Sequence, residues 1–513
     1  VTWSLENSQG NESLKIRWEI VPYTRGKVLD LGCGPFKGYP HFIGVDSCKD
    51  SGLFGGRVKP DVVCDCENLS IFASQSIDAV FSSHLLEHIV KWEDALKEWW
   101  RLVKHGGVMV LYLPHKDFYP NVGKVGSNVD HVHDFTPQDI IDWMEGCPGG
   151  WDLLVNEERN GEDEYSFLQV YRKRQGHQKN HAWKDPKPSK RACVVRYGGV
   201  GDMLMASSIL PGLKDQGYHV TFNTTPNGYE ILKEDPHVDE WMIQDRDQVP
   251  NGALPEYWGA LSRKFDKFVN LSESIEGTLL AIPGRPNHRW PDNLRKVLLD
   301  GNYLAFTHAL AGVPFEPRQK FYPTAKEKEW AEKYRKKLGG QVVMWALSGS
   351  SVHKAWPYLD AAIAGLMIEY PLVKVVLVGG ETEKLLESGW ENEPRVIRKS
   401  GEFSIRETLA LAEVCDLVVG PETGVLNSVG FLGVPKIVFL SHSSVENLTR
   451  DWKNCVSLVP DGCGCWPCHQ MHYGFEHCKR DEATGVAECA AKIPIEDFRD
   501  AVYHLLGKPT GIR

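Results

Sequence analysis

Long apolar runs are missing from this sequence. Nothing approaches the roughly 18 consecutive apolar residues of a membrane span, and the first residues carry no basic stretch followed by an apolar one, the mark of a secretory signal. An excess of positive charge is missing too. Lys and Arg number 58 against 68 Asp and Glu, a net charge of −10, which argues against a broad nucleic-acid-binding face. Dense cysteine is also absent. Thirteen cysteines in 513 residues are too few and too unevenly spread for a secreted disulfide scaffold. No short internal repeat or low-complexity tract occurs. The expectation is a cytoplasmic protein without nucleic-acid partners or a membrane span; peripheral membrane contact stays open. What is present is ordinary globular composition, 42% hydrophobic and 25% charged, which excludes disordered, collagen-like and coiled-coil chains. At about 150 residues per domain, the length suggests about three domains.

Apolar β-rich runs alternate with amphipathic helical stretches, the pattern of α/β layers with parallel sheets. A first series opens at Lys27-Val-Leu-Asp-Leu31 and closes near Phe167–Tyr171. A polar, Pro-containing run follows and reads as a linker. A second series restarts at Ala192-Cys-Val-Val-Arg196 and a third at Gln341-Val-Val-Met-Trp345. The expected boundaries are 1–173, a linker at 174–190, 191–338 and 339–513.

In the first unit, Val28-Leu-Asp-Leu-Gly-Cys-Gly34 is an apolar strand running into two glycines, where backbone can approach a ligand closely. The next strand, Phe42-Ile-Gly-Val-Asp46, ends in a carboxylate suited to ribose hydroxyls. Asp65-Cys-Glu67, Leu85-Leu-Glu-His88 and Gly106-Gly107 follow in order. This set resembles class I S-adenosylmethionine-dependent methyltransferases of the small-molecule type. The resemblance implies a Rossmann-like fold, with Asp30, Gly32, Gly34 and Asp46 at the cofactor and Asp65 near its adenine. Only nine residues separate Gly34 from Gly44, too few for a helix plus loops, so a turn is expected where that family has its first helix. The Asn/Asp-Pro-Pro-Tyr and Pro-Cys signatures of nucleic-acid methyltransferases are absent. His131 and His133, in Asp130-His-Val-His-Asp-Phe-Thr-Pro137, are candidate bases for a hydroxyl acceptor; the alternative is a polar loop with a helix cap at Thr136-Pro137. His84 and His88 read as structural or cofactor-shell residues.

In the second unit a strand runs into Tyr197-Gly-Gly-Val-Gly-Asp202. Without a Gly-Lys-Ser/Thr ending it is not a Walker loop, and Asp202 at a helix start is at least a cap. In the third unit, Leu347-Ser-Gly-Ser-Ser351 precedes His353-Lys354-Ala-Trp-Pro357. Hydroxyls of Ser348, Ser350 and Ser351 with the Lys354 ammonium suit a diphosphate. The strand 373–378 runs into Gly379-Gly-Glu381-Thr382, and Gly420-Pro-Glu422-Thr423-Gly424 opens a further helix that could face phosphate. From about residue 191 onward these motifs resemble glycosyltransferase family nine, the heptosyltransferase-like group with the two-lobed GT-B fold. That implies a nucleotide-sugar donor, commonly ADP-heptose, and a saccharide or glycolipid acceptor. It makes Asp202 the candidate base, and places Ser348, Ser350, Ser351, Lys354, Glu381, Glu422, Thr423 and Gly424 on the donor side. Where the family has Asp-Thr-Gly and then His, this sequence has Glu422 and Asn427.

Cys463, Cys465, Cys468 and Cys478, with Cys489 beyond, fit a closed zinc site, a disulfide staple, or free thiols. The composite reading is a methyltransferase fused to a glycosyltransferase. Its rivals are one live site beside a scaffold, and a glycan-binding module without turnover.

Overall fold

The computed structural model describes residues 11–47, 59–161, 163–175, 181–182 and 190–509. The expected linker therefore lies largely outside the described residues. The chain divides into two compact units, Val1–Ser189 with Gln244–Lys264, and Lys190–Ile243 with Phe265–Arg513. No described helix is long and apolar enough to cross a membrane.

The first unit is one eight-stranded sheet. Its strands are β1 (Val28–Leu31), β2 (Ile43–Asp46), β3 (Val62–Val63), β4 (Ile77–Ser83), β5 (Val103–Pro114), β6 (Trp151–Arg159), β7 (Ser166–Lys173) and β8 (His181–Ala182), in the order β3-β2-β1-β4-β5-β7-β6-β8. β1 to β5 are parallel; β7 runs antiparallel to β5 and β6. All of β1 is buried, as a central parallel strand covered on both faces requires. The order reverses between β1 and β4, which makes their carboxyl ends the natural ligand crevice. As the nine-residue spacing requires, only turns join β1 to β2. The stretch 191–338 is not one uninterrupted lobe. Residues 244–264 pack on the first helical turns of the first unit, where Gln248 donates to the Thr24 carbonyl (2.9 Å) and Arg17 pairs with Glu256 (2.8 Å).

The second unit holds two all-parallel sheets. β9 (Arg191–Val195), β10 (His219–Thr224), β11 (Glu240–Ile243) and β12 (Lys267–Asn270) form the first, ordered β11-β10-β9-β12. β13 (Val342–Ala346), β14 (Lys374–Val378), β15 (Val396–Arg398), β16 (Leu417–Pro421), β17 (Lys436–Phe439) and β18 (Cys455–Leu458) form the second, ordered β15-β14-β13-β16-β17-β18. Two parallel-sheet lobes are the GT-B architecture the sequence implies. One hydrophobic cluster runs through both lobes, from Val194 and Leu204 to Met344 and Leu426. The apolar stretch after Tyr197-Gly-Gly forms two helices, Val200–Ser207 and Leu210–Asp215. Pro211 lacks the amide a continuous helix needs.

Candidate functional site

At the carboxyl end of β1 the chain turns through Gly32 (φ +66°) and Gly34 (φ +53°), conformations that glycine adopts without strain. A Cβ on Gly32 would lie 2.8 Å from the Leu85 methyls, whereas a Cβ on Gly34 would meet nothing within 4 Å. The segment after β4 therefore closes over Gly32, and Gly34 faces open space. The Gly34 amide donates to Asp46 Oδ2 (3.1 Å), which orients that carboxylate at the tip of β2. Asp30 is committed to the protein's own backbone. It is buried, and its Oδ2 accepts from the Gly38 amide (2.7 Å), bracing the loop that replaces the helix. Burial pushes its carboxyl up to about 7, against the Gly38 amide and Lys37, which pull it down. Asp65 accepts from the Glu67 amide (3.0 Å) just beyond β3.

The raised Asp30 pKa predicts a pH effect. From the ordinary 3.8 upward the unfolded chain ionises Asp30 while the folded chain does not, so this group lowers stability as pH rises from about 4 to about 7. Urea midpoints measured across that range show this slope in the parent and a smaller one in Asp30→Asn.

The short turn Leu86–His88 follows β4. Glu87 is fully buried there and neither carboxylate oxygen has a hydrogen-bond partner. Its Oε1 is 3.5 Å from His84 Nδ1 and 3.9 Å from both His88 Nε2 and His131 Nε2. Burial pushes the Glu87 carboxyl up to about 8 and holds His131 down at about 4, with His88 adding to the latter. Of the two candidate bases, then, His131 joins this cluster. His133 does not: its Nε2 donates to the Val90 carbonyl (3.1 Å) and its ring packs near Trp92 and Phe135. Thr136 caps the helix Pro137–Glu145 through a reciprocal bond with Asp139. The Leu-Leu-Glu-His element stands out in the sequence but Glu87 within it does not; its signal is an acid between two histidines, completed only by His131 from a distant loop.

In the second unit the helix Val200–Ser207 starts at the mouth of β9. Asp202 Oδ2 accepts from the Gly199 amide (2.8 Å), and its Oδ1 accepts from Arg196 (2.6 Å) and the Tyr303 hydroxyl (3.3 Å). Arg196 is buried and also pairs with Glu276 (2.7 Å). Burial pushes the Asp202 carboxyl up, but the Arg196 charge, its hydrogen bond and the Gly199 amide outweigh it and hold the group below the carboxylate range. The Asp202 side chain stays 31% exposed. It is a helix cap and an accessible, ionised carboxylate at once.

Lys354 is buried and donates to the Glu422 carbonyl (2.7 Å). Burial lowers its pKa, opposed by the charges of Glu422 and Asp202. The serine turn lies against it: a Cβ on Gly349 would stand 2.6 Å from Lys354 Cδ and 3.2 Å from Thr423 Cγ2. Ser350 is exposed and Ser348 partly so. Ser351 faces elsewhere, its hydroxyl donating to the His472 carbonyl (2.8 Å) and accepting from the His472 amide (3.0 Å). Glu422 is also committed, accepting from the Ser441 and Ser443 hydroxyls and the His442 amide. Glu381 sits on the surface, 73% exposed, paired with Lys384. The Thr423 hydroxyl is buried with no hydrogen-bond partner. Gly424 is a crossing point: a Cβ there would stand 2.3 Å from Val200 Cβ and 3.1 Å from the Gly201 amide. The helices Val200–Ser207 and Gly424–Val429 thus touch backbone to backbone. Asn427 is held by Gln319 and donates to the Thr423 carbonyl (2.9 Å).

In the late cysteine segment, Cys463 and Cys465 are 3.7 Å apart. The thiol of Cys465 hydrogen-bonds Cys463 and holds it down, while burial pushes Cys468 up to about 12 and Cys478 to about 11. All twelve described cysteines are free. Among the described residues, the groups of three ligand atoms close enough to share an ion are Glu87/His88/His131 and His353/Glu422/His442; the expected four thiols do not form one.

Residues 29–111 match the family model described as a methyltransferase domain. Among solved structures the chain is similar to a glycosyl transferase family 9 protein from Veillonella parvula, at 16% identity over 63% of this chain and 98% of that one, with a TM-score of 0.45. It is similar to ADP-heptose LPS heptosyltransferase II of E. coli, at 14% identity over 62% of this chain and 98% of that one, TM-score 0.43. It is also similar to a SAM-dependent methyltransferase from Archaeoglobus fulgidus, at 18% identity over 31% of this chain and 92% of that one, TM-score 0.24. No curated protein matches the chain. The methyltransferase half of the resemblance drawn from the sequence thus has its counterpart in a family model.

Proposed function

We propose that the chain is a bifunctional glycan-modifying enzyme. The second unit transfers a sugar from an ADP-heptose-like nucleotide sugar to a saccharide or glycolipid acceptor. The first methylates a hydroxyl, most simply of a sugar, from S-adenosylmethionine. The observation that carries the sugar-transfer reading is the contact of Gly201 with Gly424. It brings an ionised, accessible Asp202 from one sheet to a lysine and an unpartnered threonine hydroxyl from the other.

In that reading Asp202 takes the proton of the acceptor hydroxyl, and the acceptor oxygen bonds to the anomeric carbon. The bond from that carbon to the diphosphate breaks, and the nucleoside diphosphate leaves with the electron pair. Lys354, the Thr423 hydroxyl, and Ser348 and Ser350 hold the leaving charge. Removing a hydrogen bond to a charged group costs about 1.5–3 kcal/mol. Lys354→Ala therefore raises the Kd for the nucleotide sugar about 10- to 150-fold in a binding titration, with S-adenosylmethionine affinity unchanged.

In the first unit, Asp46 accepts the ribose hydroxyls, and Gly34 leaves room beside it. S-adenosylmethionine supplies an electrophilic methyl group. The acceptor hydroxyl loses its proton at the cluster around Glu87. Asp46→Ala weakens S-adenosylmethionine binding about tenfold or more by the same hydrogen-bond arithmetic, read by calorimetry. Incubating the chain with a panel of nucleotide sugars and labelled S-adenosylmethionine tests both activities. A rival with one live site draws on Glu422 and Asn427, whose side chains are committed to the protein's own groups. Failure of either ligand to bind would favour it.

A further inference from the structure

We propose that Glu87, His88 and His131 form a binding site for a divalent first-row transition-metal ion in the first unit. The three ligand atoms lie within 4.8 Å of one another. A metal bound tetrahedrally at about 2.1 Å holds its ligand atoms about 3.4 Å apart. The observed 3.9 Å from Glu87 Oε1 to each imidazole closes to that with a shift of a few tenths of an ångström, and the two imidazoles draw together from within 4.8 Å.

Three features go beyond proximity. First, a fully buried carboxylate with no hydrogen bond to either oxygen is costly to keep, and a cation at Oε1 would offset that cost. Second, His88 Nδ1 lies 3.1 Å from the Asp130 carbonyl. A carbonyl only accepts, so Nδ1 carries the hydrogen, and in the neutral ring Nε2 turns its lone pair toward Glu87. Metal-bound histidines are commonly oriented this way. Third, the backbone fixes the register. The Val132 and His133 amides both donate to the Glu87 carbonyl, at 2.9 and 3.2 Å, locking the His131 loop onto the turn that carries Glu87 and His88. His84 Nδ1, 3.5 Å from Glu87 Oε1, stands as an outer partner whose Nε2 meets Ser166 Oγ (3.0 Å). His88 is 30% exposed and gives an ion a way in.

The other close trio, His353/Glu422/His442, lacks the first feature, because the Ser441–Ser443 turn already satisfies its carboxylate. Two imidazoles and one carboxylate select zinc, cobalt, manganese or iron over magnesium or calcium. A cation there would draw in a hydroxyl acceptor and make its proton easier to lose, with His131 a ligand instead of a base. That consequence rests on the methyl-transfer reading; the metal site itself rests on the geometry.

The test uses the full chain, stripped with chelator, reloaded separately with Zn²⁺ and Co²⁺, desalted and analysed for metal per chain. Glu87→Gln and His131→Asn are each expected to hold one equivalent fewer than the parent, and His133→Ala to match it. The parent-minus-variant spectrum of the Co²⁺ forms should show weak visible bands without thiolate charge transfer, which separates this site from the cysteine segment. Retained S-adenosylmethionine binding certifies the fold of each variant, and His131→Asn carries the test if Glu87→Gln does not fold. Equal metal content in parent and folded variants would overturn the proposal. Loss of metal with S-adenosylmethionine still bound and no methylation found would uphold the site and count against the methyl-transfer reading alone.

Discussion

Asp202→Asn is expected to leave the second unit folded and to lower sugar transfer about 100- to 10,000-fold, the usual contribution of a positioned general base. Asparagine keeps an oxygen for the Gly199 amide, so the start of the helix Val200–Ser207 stays capped. Arg196 keeps a counter-ion in Glu276 (2.7 Å), so no buried charge is stranded. What disappears is the ionised oxygen 31% exposed at the helix start. Because Arg196 and the Gly199 amide hold the carboxyl below the carboxylate range, the parent should keep its base through mildly acid pH and lose it only below the ordinary carboxylate range. Turnover at saturating donor, with thermal unfolding as control, reads the effect. A variant as fast as the parent would leave Asp202 a cap alone.

Gly424→Ala is expected to destabilise the second unit by about 1–3 kcal/mol, as overpacking a tight contact does, and to depress turnover about 100-fold. The new methyl would stand 2.3 Å from Val200 Cβ and 3.1 Å from the Gly201 amide. Neither is a flexible tip that can swing aside, so the two helix starts must separate. That moves Asp202 away from Thr423 and Lys354, and a displacement near 1 Å at reacting groups costs about a hundredfold. Gly433→Ala is the control, since a Cβ there meets nothing within 4 Å. Urea midpoints and turnover for the pair separate crossing geometry from a general intolerance of alanine. Equal effects at both positions would refute the crossing argument.

Much of this was legible in the sequence because it depends on local spacing. Nine residues between Gly34 and Gly44 exclude a helix, and the structure has turns there. A run such as Val28–Leu31 reads as a central strand because both its faces are covered. Gly-Asp at a helix start signals a cap; the N-cap itself is Gly199, and Asp202, third in the helix, reaches back to its amide. What escaped depends on distant partners. Glu422 reads as a donor ligand by its place in a motif, yet its oxygens serve the Ser441–Ser443 turn. Gly424 reads as a phosphate amide, and the sequence gives no sign that its missing side chain also makes room for Val200. Glu381 ends on the surface with Lys384. Pairing of residues 244–264 with the first unit has no sequence signal, since it rests on scattered polar pairs such as Gln248 with Thr24, Arg25 with Asp245 and Arg17 with Glu256. Glu87 gained its meaning only when His131 came back beside it.

The central claim is that two separate ligand sites share this chain. Calorimetric titration of the full chain with S-adenosylmethionine and with ADP-heptose, repeated on Asp46→Ala and Lys354→Ala, tests it most directly. The account predicts one site for each ligand in the parent, loss of S-adenosylmethionine affinity alone in Asp46→Ala, and loss of nucleotide-sugar affinity alone in Lys354→Ala. Absence of binding by either ligand class to the parent, or one substitution abolishing both, would contradict it.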